Sequence, residues 1–331
     1  MKVLFIGGTG NISTSVSILG LEKGIDLYHL NRGNKSPLNG VTNIQADINN
    51  FNQVQNALSN QTWDVVVNWV AFTPQDTLRD IKLFEGRVGQ YIFISSASVY
   101  QKPTIDPIIT ESTPIFNPNW EYSNNKIACE DHLMQACQER NFPVTIIRPS
   151  HTYDTVIPVT LGGWDEYTVV DRIKKGLPIV VQDDGTSLWT LTHAKDFAKG
   201  FIGLVGNQTA IGEPFHITSD EVMSWNQIYQ TLAASTGYEA NIVHIPSGYI
   251  CDFADEYDFP SKRGSLLADK SFNTVFDNSK IKKFVPDFSA SIPFSKGIRQ
   301  TLDWFESDQK RMIVKEETNR FLDGLIANYG K

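Results

Sequence analysis

The stretch "KVLFIGGTGNIS", residues 2–13, decides the architecture. A near-continuous apolar run, "KVLFI" (2–6), ends at Gly7, Gly8 and Gly10, which is the pattern of a buried parallel strand entering a tight turn. Residues 11–23 carry Ile12, Val16, Leu19 and Leu21 ahead of Gly24 and read as a helix. A glycine turn between a first strand and a helix brings the backbone close to a pyrophosphate, and the helix offers free N–H groups to it. Gly7, Thr9 and Gly10 are therefore candidates for a cofactor loop. A Gly-x-x-Gly-x-x-Gly turn would place a third glycine where Ser13 stands. That position ordinarily serves close helix-to-strand packing, so a small serine is a mild change. Alone, the turn does not distinguish a cofactor loop from a plain strand-to-helix turn.

Outward from it, "IDLYHL" (25–30), "DVVVNWV" (64–70), "QYIFIS" (90–95) and "PVTIIRP" (143–149) read as strands, with helix-like stretches at 50–60 and around 122–140. Strands alternating with helices predict a Rossmann-type α/β fold, a doubly wound parallel sheet with helices on both faces. The rhythm breaks after Pro149, where residues 150–190 are loop-rich. "GEPFHITS" (212–219) reads as one more strand of the sheet, and 225–331 add helices and short strands. The expected plan is a cofactor domain over 1–155 with about 190–222, and a smaller interleaved α+β substrate domain over about 156–189 and 223–331. The segment 246–264 reads as a loop, with "DFADEYDF" (252–259) a solvated or lid element.

The 331 residues are 41% hydrophobic and 20% charged, a globular composition able to bury a core without staples. The formal net charge of −8, with no long run of one sign, argues against a nucleic-acid or membrane-surface binder. Cys129, Cys137 and Cys251 have no metal-like spacing and fit a reducing compartment. The first apolar run lacks the form of a signal peptide, and no stretch is long enough to span a bilayer, so a cytoplasmic chain is expected. No metal is expected.

Two further sites bear on a cofactor. Strand two ends "HLNRGNK", with Asn31 and Arg32 where an NAD-preferring site would carry an acid for the ribose hydroxyls. Arg32, with Lys35, suits a 2′-phosphate, which inclines the reading towards NADP within NAD(P); a solvated loop arginine is the plainer alternative. Asp47 and Ile48 are placed to flank an adenine. "EYSNNK" (121–126) sets Tyr122 and Lys126 on one helix face. A lysine beside a phenol favours phenolate and would lower the tyrosine pKa, giving a general base for a carbinol hydroxyl. A serine from the end of the preceding strand, "FISSASVY" (93–100), could hold the same oxygen.

Together "GGTGNIS", "FISSASVY", "YSNNK" and "TIIRPSHTYD" resemble the extended short-chain dehydrogenase/reductases of the NAD-dependent epimerase/dehydratase family, as do "LTHAKDFA" (191–198), "PFHITSDEVMSWNQI" (214–228) and "FDNSKIKKFVPDF" (276–288). The "NRG" after strand two and the short segment 72–90 resemble a subgroup that includes chloroplast stem-loop RNA-binding proteins. The resemblance implies that Tyr122 is the base, Lys126 its partner and a nicotinamide-ribose ligand, and Ser96 the catalytic serine. It implies that Asn11 and Ile12 meet the pyrophosphate, that Trp69, Val70 and Ala71 flank the cofactor, and that Pro149 forms the nicotinamide rim. It points to Phe72, Ser98, His151, Trp164, Trp189 and Arg263 as substrate-side candidates, His151 as a second acid or base.

Three departures qualify it. Ala97 and Ser98 replace the Asp-Glu pair of the sugar 4,6-dehydratases, which argues against water elimination. Trp189 stands four residues before His193, where many members carry an arginine for the sugar-nucleotide phosphates; Arg263 is a possible substitute. The helix after strand four is short, which leaves monomer and homodimer both open. His193 and Asp196 read as a domain-joining hydrogen-bond pair. The expected function is NAD(P)-dependent oxidation, reduction or epimerisation of a sugar or nucleotide-sugar carbinol. The alternatives are a non-catalytic NADP(H)-sensing or RNA-binding protein on the same fold, and a reductase of a non-sugar carbonyl.

Overall fold

In the computed structural model, residues 1–59 and 61–330 are described. β1 (Lys2–Ile6) runs into α1 (Asn11–Glu22), followed by β2 (Asp26–Asn31), β3 (Thr42–Gln45), α2 (Phe51–Ala57) and β4 (Trp63–Asn68). Next come α3 (Pro74–Phe84), β5 (Val88–Ile94), α4 (Glu121–Arg140) and β6 (Val144–Pro149). The sheet order is β3-β2-β1-β4-β5-β6, extended beyond β6 by a seventh strand, Pro214–Ile217, and every pairing is parallel. The order reverses between β1 and β4, so their carboxyl ends open a crevice there.

Alternation along each strand sends side chains to two cores. Leu4, Ile6, Val66 and Phe93 pack with Val54 of α2, Ile81 and Phe84 of α3 and Leu133 of α4. Val3, Phe5, Val67 and Ile92 pack on the other face with Val16 of α1 and with Phe197 and Phe201 of the helix Ala194–Leu204. Helices cover both faces, which is why the strands read as continuous apolar runs rather than alternating ones.

The remaining segments build further cores, two of them large. One joins Tyr153, Val170, Trp189, Trp225, Leu302 and Phe305; the other joins Ile250, Phe253, Phe321 and Leu322. Here the loop expected over 246–264 is corrected. Residues Ser247–Glu256 form a helix, with Ile250, Cys251, Phe253 and Ala254 buried. The acids of "DFADEYDF" obscure an apolar face at helical spacing, Ile250, Phe253 and Ala254. Among the described residues no helix is long and apolar enough to cross a membrane.

Asp154 joins the parts. Its carboxylate accepts from Ser15 of α1 (2.7 Å) and lies 3.8 Å from His193 Nε2, while its carbonyl accepts from Thr301 (2.7 Å). The expected His193–Asp196 hydrogen bond is corrected: the carboxylate near His193 Nε2 is that of Asp154, and this nitrogen makes no hydrogen bond. His193 Nδ1 caps the helix Ala194–Leu204 through the Lys195 N–H, and Asp196 accepts from Lys199 and from the Ile292 N–H.

Candidate functional site

The crevice is a cavity of about 860 Å³ lined from the glycine loop to Trp164. Gly7 and Gly8 have φ of +92° and +116°. A Cβ on Gly8 would stand 2.7 Å from the His29 ring, which lies buried beneath the turn and bonds to Ser17 (2.9 Å). Glycine is required here by approach as well as by φ. Ser13 accepts from the Gly10 N–H at 2.9 Å and closes the first turn of α1 from within. The Asn11 side chain ties the loop to the segment after β6, donating to the Thr152 carbonyl (2.9 Å) and accepting from the Thr155 N–H (3.0 Å).

The loop's neighbours are positioned by buried polar groups. Asn68, at the end of β4, accepts from the Val70 N–H (2.8 Å) and donates to Asp80, which also accepts from Tyr91 (2.6 Å) and from Arg79. Trp69 and Val70 are thereby set against Gly7. At the end of β2 the Asn31 amide, oriented so that its nitrogen donates, bonds the carbonyls of Gly7 (3.0 Å) and Leu30 (3.3 Å). A carboxylate in its place would face two carbonyl oxygens. Arg32 is exposed on the rim, and Lys35 donates to the Thr9 carbonyl at 2.9 Å.

Deeper in, Ser96, Tyr122 and Lys126 line the same cavity. Lys126 is buried, and its ammonium donates to the carbonyls of Ala71 (2.7 Å) and Ile94 (2.8 Å). Burial pulls its pKa down to about 8. The expectation of a lowered Tyr122 pKa is corrected: burial raises the phenol, against a lowering hydrogen bond from Ser96, and the Asp269 carboxylate adds to the rise. The Lys126 ammonium is directed at backbone carbonyls and lies 5.8 Å from the phenol ring centre.

Ser96 Oγ accepts twice, from the Ser98 N–H (3.2 Å) and from Ser98 Oγ (2.9 Å). Ser98 Oγ accepts from Ser123 (2.8 Å), and the Ser98 carbonyl accepts from Asn117 (3.0 Å). With both acceptances used inward, the Ser96 proton is left to point outward into the cavity.

Of the residues expected to meet the cofactor, Gly7, Thr9, Gly10, Asn11, Ile12, Asn31, Arg32, Asp47, Ile48, Trp69, Val70, Lys126 and Pro149 all line this cavity. Ala71 does not; its side chain is buried and its carbonyl holds Lys126. On the substrate side, Phe72 and Trp164 line the cavity. Trp164 is 46% exposed and adopts φ +67°, unusual for so large a side chain. Four candidates stand elsewhere. Ser98 is buried behind Ser96. Trp189 is 2% exposed, its indole N–H donating to the carbonyls of Lys270 (3.2 Å) and Phe272 (3.0 Å). His151 packs among Trp164, Trp189 and Trp225, and burial lowers it to about 3, so it is neutral and unsuited to acid catalysis. Arg263 is held at the surface by Asp252 and Asp255 (2.7 Å each).

Ser95, within "FISSASVY", and Ser150 and Thr152, which follow Pro149 in "TIIRPSHTYD", also line the cavity. The hydroxyls of Ser95 and Ser150 are buried with no protein partner. Their signal in the sequence is the strand-end position, immediately after β5 and β6. Unmet polar groups, a glycine cradle and this volume fit a dinucleotide.

Residues 77–217 match the sequence model of the NAD dependent epimerase/dehydratase family. The chain is 25% identical to a chloroplast stem-loop binding protein of 41 kDa from Arabidopsis thaliana, over 95% of this chain and 86% of that one. It is 22% identical to the 2′-dehydrokanamycin reductase of Streptomyces kanamyceticus, over 87% and 80%. Among solved structures, a UDP-glucose 4-epimerase from Bifidobacterium longum, determined with NAD+ and UDP, superposes with a TM-score of 0.74 at 19% identity, covering 94% of this chain and all of that one.

Proposed function

We propose, from the match of residues 77–217 to the sequence model of the NAD dependent epimerase/dehydratase family, that the protein is an NAD(P)-dependent oxidoreductase or epimerase acting on a sugar-like carbinol. The observation that carries this reading is that Ser96, Tyr122 and Lys126 line one cavity with the glycine turn. Backbone N–H groups at Asn11 and Ile12 hold the pyrophosphate, Asp47 and Ile48 flank the adenine, and Lys126, Ser95 and Ser150 serve the nicotinamide end. A nicotinamide cofactor bound there supplies hydride transfer to or from the substrate carbon.

The chain's own groups manage the proton. Ser96 donates to the substrate oxygen, with its other bonds fixed by Ser98. Tyr122 exchanges the proton with that oxygen, and Lys126 stays bonded to the carbonyls of Ala71 and Ile94 beside it. Burial raises the phenol of Tyr122 above its ordinary value, against a lowering hydrogen bond from Ser96. Arg32 and Lys35 at the rim favour NADPH over NADH. The test is Tyr122→Phe: turnover should be lost while NADPH titration is nearly unchanged. Undiminished turnover would sink the mechanism.

A second reading, RNA binding, draws on the likeness to the chloroplast stem-loop binding protein. The net charge of −8 weighs against it. Absence of RNA binding at low salt rules it out.

A further inference from the structure

The hydroxyl of Ser96 ends a chain of buried polar groups that the proposed chemistry leaves unexplained. Ser96 lines the cavity beside Tyr122. Behind it lie Ser98, Ser123 and Asn117, which are 5%, 0% and 5% exposed and take no part in the cavity wall. Ser123 donates to Ser98 Oγ (2.8 Å), and Ser98 Oγ donates to Ser96 Oγ (2.9 Å). Two successive hydroxyl-to-hydroxyl bonds thus lead from the buried side of α4 to the reacting end.

The direction of the chain is set by Asn117. Its amide nitrogen donates to the Ser98 carbonyl and to the Ala268 carbonyl (3.0 Å each). Two carbonyls admit the nitrogen on that side and exclude the amide oxygen. The same nitrogen lies 3.5 Å from Ser123 Oγ. It can offer a proton there but cannot accept one, so the Ser123 proton goes to Ser98. The Ser98 proton goes in turn to Ser96, which also accepts from the Ser98 N–H (3.2 Å). A buried hydroxyl left without a partner is costly, so each proton takes the bond open to it. The proton at the end of the chain, on Ser96, is the one that faces the cavity.

Hydrogen bonds that run in one direction polarise one another, so Ser96 is a stronger donor than a lone serine hydroxyl. Ser123 also follows Tyr122 directly in α4. One helical turn therefore carries the phenol and orients the hydroxyl that meets the same substrate oxygen. Two charges outside the chain face the phenol. The Asp269 carboxylate raises it, and the Lys126 ammonium lies 5.8 Å from its ring centre. Neither charge is hydrogen-bonded to Ser96, Ser98 or Ser123: Lys126 is bonded to backbone carbonyls and Asp269 to Lys102 and Lys270.

We propose that Ser123 is a positioning residue for the reaction: through Ser98 it holds Ser96 as a one-way donor to the oxygen that Tyr122 serves. This deepens the reading above and rests on it for the parts played by Ser96 and Tyr122. No proton travels along the chain; its work is orientation and polarisation. Ser98 gains a part of its own. Where the sugar 4,6-dehydratases carry the second acid of an Asp-Glu pair, this protein carries the middle link of a hydrogen-bond chain.

The experiment places a fluorinated tyrosine at position 122 of the full chain, which lowers the phenol into an accessible pH range, and follows its titration by fluorine NMR. Ser96→Ala removes the donor and should raise the titration most. Ser123→Ala leaves Ser96 a weaker donor and should raise it by about 0.1–0.7 pH unit, the loss of about 10–30% of a charged hydrogen bond. Ser98→Ala cuts the chain one link nearer and should shift the titration at least as far. On the Ser96→Ala background, Ser123→Ala should add nothing, because its effect passes through Ser96. Lys126 and Asp269 are present in every variant, so their contributions cancel in the comparison. An unmoved titration in Ser123→Ala or in Ser96→Ala overturns the proposal. So does a Ser123→Ala shift that persists in full on the Ser96→Ala background. The titration reads the hydrogen bond without turnover, so an active Tyr122→Phe would overturn the mechanism and leave the positioning of Ser96 standing. Thermal unfolding checks that each variant folds.

Discussion

The two ends of the cavity are built on different plans. The cofactor end is mostly backbone: a glycine turn, the start of a helix and strand termini, all from consecutive βα units. The opposite end is mostly side chains: Phe72, Ser96, Tyr122 and Trp164, brought together from separated segments. The first plan depends on what the chain leaves out, side-chain bulk and competing hydrogen bonds. The second depends on what each segment contributes, so single substitutions should alter its selectivity while sparing the fold.

That contrast can be tested, beginning where the effect is largest. Tyr122→Phe stands at the junction of the two ends. It should lower turnover by about 10²–10⁴-fold with dinucleotide affinity nearly intact, measured by steady-state kinetics and NADPH fluorescence. Gly8→Ala attacks the backbone plan. Its methyl would collide with His29, an overpacking cost of about 1–3 kcal/mol that should appear in Tm and in cofactor affinity together. If cofactor affinity fell with Tm unchanged, the buried imidazole would not be the reason for the glycine. Ser98→Ala leaves the Ser96 hydroxyl free to turn. It should reduce kcat about tenfold with KM little changed, since about one hydrogen bond of orientation is lost. Arg32→Ser should narrow the NADPH preference over NADH by a smaller factor; an unchanged ratio would return Arg32 to a solvated loop.

The last effect is a gradual one. His29 and His216 are held by burial near a pKa of about 4, and His151 near about 3. Their folded values lie below the unfolded 6.5, so as pH falls from 6.5 the unfolded chain binds protons that the folded chain refuses. Stability should be full above about 6.5 and fall progressively towards about pH 4, read as a declining urea midpoint. His29→Gln should make that decline shallower. Because His29 lies beneath the glycine turn, bound cofactor would weaken with it.

The same contrast explains what is legible in the residues alone. The parallel sheet, the glycine turn and the Tyr122–Lys126 face follow from local periodicity, and each is readable within a window of a few residues. The helix Ser247–Glu256 is not, because its acids outweigh its apolar face. Trp189 and Arg263 illustrate a deeper limit. A missing arginine is visible in a sequence, but the packing of the Lys270 ammonium over the Trp189 ring is a fact of assembly, since nothing near residue 189 indicates that residue 270 will lie there. Tyr122 departs from expectation for a related reason. Helical spacing brings Lys126 to the same face, yet the ammonium is claimed by the carbonyls of Ala71 and Ile94.

Asn11 carries one more consequence. Its amide grips the Thr152 carbonyl and the Thr155 N–H, 141 and 144 residues away along the chain. The first turn of α1 and the strand-exit segment after β6 are therefore latched, and stiffening one stiffens the other. Hydrogen–deuterium exchange at the Thr155 amide would then serve as a remote gauge of occupancy at the glycine turn.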